Sequence, residues 1–147
     1  PGTMEGLIVY NRYNLLGTIE KNTDAGIYGR LDKTEDLFGK KELVETAAKE
    51  EIVTGPAKIR CFLEDEVREF DIEVIKVDQE TAEVNKGMMI RVTDEELLEK
   101  TGGIIQGMSG SPILQNGKLI GAVTHVFVMD STKGYGIFAE TMLEQLK

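Results

Sequence analysis

Apolar and polar residues alternate with a period of two along much of this chain, the signature of half-buried β-strands. In "KIRCFLED", Ile59, Cys61 and Leu63 fall on one side of a pleated strand, and Lys58, Arg60 and Phe62 on the other. "VREFDIEVIKV" (Val67–Val77) repeats the alternation around Phe70, Ile72 and Val74, and the intervening "EDE" predicts the turn that pairs the two runs. "GPA" at 55–57 is a turn signal before the first of them, and "MMIRV" (Met88–Val92) reads as another strand. Near the start, "GLIVY" (Gly6–Tyr10) and "LLGTIE" (Leu15–Glu20) flank "NRYN" as a hairpin, and "AGIYGRL" (Ala25–Leu31) follows as a further strand. The segment from Asp32 to Glu50 is charged and loosely periodic, with a short helix expected over Leu43–Lys49.

The period changes after Val92. In "TDEELLEKTGG", Thr93 followed three residues later by Glu96 has the form of a capping box, and Gly102 is a helix stop. A short helix is predicted near residues 94–100. "SPILQ" and "KLIGAVTHVFV" then surround Asn116-Gly117, the strongest short-range hairpin signal. "AETMLEQLK" reads as a closing helix. Many short strands joined by tight turns predict a mostly β fold, a barrel or a sandwich, with little helix.

Composition narrows what such a fold does. The 147 residues are 41% hydrophobic and 29% charged, enough for one domain with a real core. A net charge of −9 argues against nucleic acid or an anionic membrane surface as partner, since both are polyanions. No apolar run approaches the ~20 residues that span a bilayer, and no signal peptide is present. The chain begins "PGTMEG", which raises the expectation of a processed or trimmed piece of something longer. One His and one Cys far apart make no zinc site, the carboxylates have no calcium-loop spacing, and no glycine-rich phosphate loop opens a helix. No metal and no cofactor is expected. Cys61, the single cysteine, reads as a small buried strand residue with no base placed beside it.

The chemistry concentrates in "GMSGSP" (Gly107–Pro112). A nucleophilic serine must project from a tight turn beside donors that can hold an oxyanion. Gly107 and Gly110 permit such a turn around Met108-Ser109, and the amides of Gly107 and Ser109 can then point at one spot. The other reading is a Gly-rich turn between strands, in a binding module without catalysis. Asp94, at a helix start, is favoured there by the helix dipole alone. His125, the one histidine, ends an apolar strand, where a lone histidine is more often a packed, hydrogen-bonded residue than a catalyst.

The stretch "TGGIIQGMSGSPILQNGKLIGAVTHVFVMDSTKGYGIF" resembles the C-terminal peptidase region of the stage IV sporulation protein B family, whose nucleophile loop is of the chymotrypsin-like G-x-S-G-S/G-P type. "GTIEKNTDAGIYGRL" and "TGPAKIRC" are similar to that family too, so the resemblance covers nearly the whole chain. It implies a chymotrypsin-like β-barrel serine peptidase domain over residues 1–147, with an incomplete first barrel and short helices. It further implies a serine endopeptidase of sporulation signalling. Family members carry a membrane segment and a PDZ domain upstream, and act between the two membranes around the forespore. They cleave themselves and a regulatory protein, which releases an intramembrane protease and activates a late sigma factor. Carried over by residue, the nucleophile falls on Ser109 and its acidic partner on Asp94. The general-base histidine belongs to a "GHGISD"-like motif that this chain lacks, so these residues alone are expected to be folded but nearly inactive. His125 is expected to line the cleft without being the base; the alternative is a Ser109–His125 dyad.

Overall fold

In the computed structural model the described residues are 6, 7, 9–32, 34 and 42–147. Six antiparallel strands close into a barrel: β3 (Gly55–Leu63), β4 (Glu66–Val77), β5 (Met88–Val92), β6 (Pro112–Gln115), β7 (Lys118–Phe127) and β8 (Asp130–Phe138). Around the barrel they run β3-β4-β5-β8-β7-β6, and Lys58 and Ile59 pair with Leu114 and Ile113 to close it. β1 (Gly17–Thr23) and β2 (Gly26–Leu31) form a separate two-stranded sheet. Two short α-helices, α1 (Glu95–Thr101) and α2 (Ala139–Glu144), and two 3-10 turns, Lys49–Glu51 and Val84–Lys86, complete the described elements. The mostly β class, the barrel and the short helices all agree with the reading of the sequence.

The period-two pattern explains the barrel. Ile59 and Cys61 of β3, Phe70, Ile72 and Val74 of β4, Ile90 of β5, Ile113 of β6 and Val123 of β7 all lie in one buried cluster. Each comes from the inward-facing half of its strand. On the opposite face Lys58 reaches Asp71 at 2.8 Å and Arg60 reaches Glu69 at 2.8 Å. Closure leaves none of these six strands as a free sheet edge over its paired length. Burial pushes the Cys61 thiol up, chiefly by desolvation, in keeping with an inert packing residue.

Both barrel hairpins that the sequence predicts form with two-residue turns. Asn116 (φ 52°) and Gly117 (φ 76°) take the left-handed region that such turns require. Glu64 (φ 53°) and Asp65 (φ 65°) do the same between β3 and β4; aspartate is among the side chains that tolerate this region, and glutamate is not.

Three expectations are corrected. The first hairpin is not "GLIVY" against "LLGTIE": β1 turns forward across Asp24-Ala25 to pair with β2, and Gly26 at φ 126° takes up the reversal. Ile8 lies outside the described residues, and Asn11 instead closes a local turn, its side chain accepting from the amides of Tyr13 and Asn14. No helix forms over Leu43–Lys49. The Ala47 amide donates to Leu119 and the Glu45 carbonyl accepts from Leu119, so that backbone is committed to β7. A 3-10 turn at Lys49–Glu51 is all the helix among the described residues there; residues 33 and 35–41 of the charged segment lie outside them. Finally, the residue capping α1 is Asp94 and not Thr93, and Glu96 faces outward to Arg68 and Lys100.

Candidate active site

The barrel topology fixes where the candidate residues meet. β5 ends and β6 begins at the same end of the barrel, yet they are third and sixth in the ring and so face each other across it. The connection between them, residues 93–111, must therefore cross the barrel mouth. It carries α1 and the "GMSGSP" loop. Asp94 sits where this segment leaves, against β4; Ser109 sits where it arrives, against β7. The two lie at the ends of one connection that crosses the barrel mouth, and no hydrogen bond joins them.

The arriving half is anchored by side chains and by backbone. Ile104 and Met108 are buried in the core, while Gly107, Ser109 and Gly110 are exposed. Gly107 (φ 102°) and Gly110 (φ 88°) adopt backbone conformations that a residue with a Cβ resists, although a side chain would meet nothing nearby. Met108, pinned between them, fixes the loop. Its amide donates to the Ile105 carbonyl (3.2 Å), the Gly110 amide to Val123 (2.7 Å) and the Ser111 amide to Met108 (3.0 Å). The amides of Gly107 and Ser109 donate to no acceptor among the described residues. Two unengaged donors, two residues apart and flanking an exposed hydroxyl, are the parts an oxyanion hole needs. The Ser109 hydroxyl itself donates to the Thr124 carbonyl at 3.2 Å.

The departing half is held by a different chemistry. Asp94 caps α1, Oδ1 accepting from the Leu97 amide (3.0 Å) and Oδ2 from the Asp71 amide (3.1 Å). Its own amide donates back to the Asp71 carbonyl at 3.0 Å. Both carboxylate oxygens thus tie the helix start to β4, which leaves each with a free lone pair. Gly102 ends the helix at φ 72°, as its position predicts. Leu97 is fully buried beneath α1, and on the outer side Glu96 bonds Arg68 (2.6 Å) and Lys100 (3.0 Å). Glu64 joins Lys100 (2.6 Å) and Arg68 (3.3 Å) to the same network.

The Arg68 hydrogen bond, and then that from Lys100, hold the Glu96 carboxyl down to about 2. A depressed carboxyl contributes its stabilisation above the ordinary value of 4.5 and loses it as pH falls through about 2. The expected result is that α1 loosens over that window, read as rising amide exchange in residues 95–101, and that Glu96→Gln loosens it at neutral pH and removes the acid step. An unchanged acid step in that variant counts against the assignment. The network is exposed, so salt weakens it as well.

His125 lies one residue beyond Thr124 on β7, exposed, and its ring has no hydrogen-bond partner among the described residues. It is not on the buried face of the barrel, and Ser109 does not bond to it. The strand register slips here: Val123 pairs with Gly136 but His125 with Tyr135, so Thr124 is a bulge. Thr124 also donates its hydroxyl to the Asn85 carbonyl at 2.6 Å. Neither Thr124 nor Asn85 is marked by the sequence; the faint signal is a hydroxyl in the otherwise apolar run "LIGAVTHVFV". No group of potential metal ligands occurs among the described residues, and no described helix is long and apolar enough to cross a membrane.

Comparison with known proteins bears on the whole arrangement. The family model described as SpoIVB peptidase S55 matches residues 1–143. Solved structures of the Rv3671c protease from M. tuberculosis share the fold. The active form superposes with a TM-score of 0.61 at 16% identity, over 88% of this chain and 56% of that one. An inactive form gives 0.57 at 16% identity over 88% and 65%, and a serine-to-alanine mutant in an inactive form gives 0.56 at 15% over 88% and 62%. The chain thus spans less than two thirds of each solved protease. No curated protein is significantly similar in sequence.

Proposed function

This chain belongs to the SpoIVB peptidase S55 family, and from that premise we propose that it carries the nucleophile, the oxyanion hole and the acid of a serine endopeptidase. The observation that supports this most is the loop around Met108. An exposed serine hydroxyl stands beside two uncommitted amides on a backbone held by a buried anchor.

In the proposed mechanism Ser109 Oγ attacks the scissile carbonyl as a histidine takes its proton. The amides of Gly107 and Ser109 receive the oxyanion, the protonated histidine gives its proton to the leaving amine, and water releases the acyl group from Ser109. Asp94 orients that histidine and stabilises its charged form. We place the base on a histidine outside these 147 residues, as the family's pattern implies; in support, His125 makes no bond to Ser109 among the described residues. His125 lines the cleft instead. Beyond Val123, β7 pairs with β8 alone among the described residues, and its other edge is open for an extended substrate. A serine without its base is a poor nucleophile, so these residues by themselves turn over peptide slowly or not at all.

The family supports a finer reading as well: a peptidase of sporulation signalling, exported to the space between the membranes around the forespore and acting beside an upstream PDZ domain. There it cleaves itself and a regulatory protein whose loss frees an intramembrane protease and activates a late sigma factor. The rival is a binding module whose Gly-Ser loop is only a turn. A fluorophosphonate probe separates the two. In the full-length protein with its upstream histidine, a single adduct on Ser109 is expected; absence of any adduct there favours the binding module.

A further inference from the structure

We infer that Thr124 is a positioning residue for the proposed nucleophile, an inference that rests on Ser109 having that role. Three consecutive contacts hang the nucleophile loop from β7. The Val123 carbonyl accepts from Gly110 at 2.7 Å, the Val123 amide donates to Ser111 at 2.9 Å, and the Thr124 carbonyl accepts the Ser109 hydroxyl at 3.2 Å. The first two lie just past the last regular β6–β7 pair, Pro112 with Ala122, and Gly110 donates where Ser111 would in a regular ladder, because the Ser111 amide turns to Met108. The third depends on the bulge, because Thr124 is the extra residue between Val123 and His125 in the pairing with β8. A bulge re-aims the peptide groups on either side of it, and nothing in the ladder sets how far.

The Thr124 side chain sets it. Its hydroxyl donates to the Asn85 carbonyl at 2.6 Å, the shorter of the two bonds that Thr124 makes outside the strands. That carbonyl is itself well held. Asn85 lies in a 3-10 turn, Val84–Lys86, where the Lys86 amide donates to Glu83 (2.8 Å) and the Lys86 ammonium bonds the Glu83 carboxylate (2.5 Å). The Gly87 carbonyl accepts from Asp78, which ties down the far side of the connection. One side chain thus clamps the bulge to a rigid turn on its outer side while its own carbonyl faces the serine on the inner side. The Thr124 carbonyl thereby holds the resting serine hydroxyl in place, and this bond is given up when the base takes the proton.

The variant that tests this is Thr124→Val, which keeps the branched shape and removes the donor; Thr124→Ser restores the donor without the methyl. In the full-length peptidase, Thr124→Val is expected to lower kcat roughly ten- to a hundred-fold, the scale of a small misplacement of a reacting group, with KM within twofold. Thr124→Ser is expected to recover most of the rate. A second readout needs no activity: in the 147-residue chain, Thr124→Val speeds amide exchange at Gly110 and Val123 while Ile59, Ile72 and Ile90 stay protected. Wild-type kcat in Thr124→Val, no recovery in Thr124→Ser, or unchanged exchange at Gly110 overturns the inference. Loss of exchange protection across the whole barrel also overturns it, since the hydroxyl then serves the fold at large. If the wild-type protein takes no fluorophosphonate adduct, the role of Ser109 falls, and the exchange result still decides whether Thr124 holds the loop.

Discussion

Replacing Ser109 with alanine is expected to lower kcat of the full-length peptidase by about a million-fold, the scale on which a serine-peptidase triad loses rate when its nucleophile is removed. The hydroxyl is exposed and makes one bond, to the Thr124 carbonyl, so the substitution leaves the fold unstressed. Substrate binding is expected to stay within a few-fold of wild type. A residual acceleration of about 10³–10⁴ over water remains, supplied by the oxyanion amides and by binding. Single-turnover cleavage of a peptide substrate, alongside its affinity for the variant, measures both quantities. Cleavage within tenfold of wild type excludes Ser109 as nucleophile.

The second large effect is expected at Asp94. Asp94→Asn is expected to cut kcat about 10⁴-fold, as when the orienting carboxylate of a triad becomes an amide. The fold is expected to survive, because asparagine caps a helix about as well as aspartate. One bond is lost: an amide nitrogen facing the Asp71 N–H cannot accept from it, which costs about 1 kcal/mol. Asp94→Ala removes the cap as well, for a further loss of about 1 kcal/mol. The comparison separates the cap of α1, which the structure shows, from the orienting role proposed for the same carboxylate. A fall in kcat without a matching fall in melting temperature supports the electrostatic role. Activity that tracks stability across both variants reduces Asp94 to the cap of α1.

What the sequence disclosed follows from where the information is local. Strand period is local, and β3, β4, β5 and the β6–β7 hairpin lie where Ile59, Phe70, Ile72 and the Asn116-Gly117 turn place them. The glycines of the Ser109 loop are local too, and both adopt the left-handed backbone expected of them. The failures are tertiary. The segment 43–49 has helical character, but its backbone is captured by Leu119, more than seventy residues later in the chain. Thr93 and Asp94 are both capping residues, aspartate somewhat the better, and the second oxygen of Asp94 also meets the Asp71 amide. Thr124 and Asn85 are invisible for the same reason, since a hydroxyl in an apolar strand has no meaning until the carbonyl across from it is known.

The turn at Glu64-Asp65 carries two demands that pull apart. As backbone, both positions favour Asn and Gly, the residues that occupy the matching turn at the other hairpin. As side chain, Glu64 holds Lys100 of α1 and Arg68 of β4, and so steadies the segment that leads into the nucleophile loop. Selection on the backbone of the turn alone would replace the glutamate; selection on the anchoring of α1 would keep it. Variation at residue 64 is therefore a record of which of the two has been limiting, and a lineage living in high salt, where the ion pairs are already weak, is the one free to mend the turn.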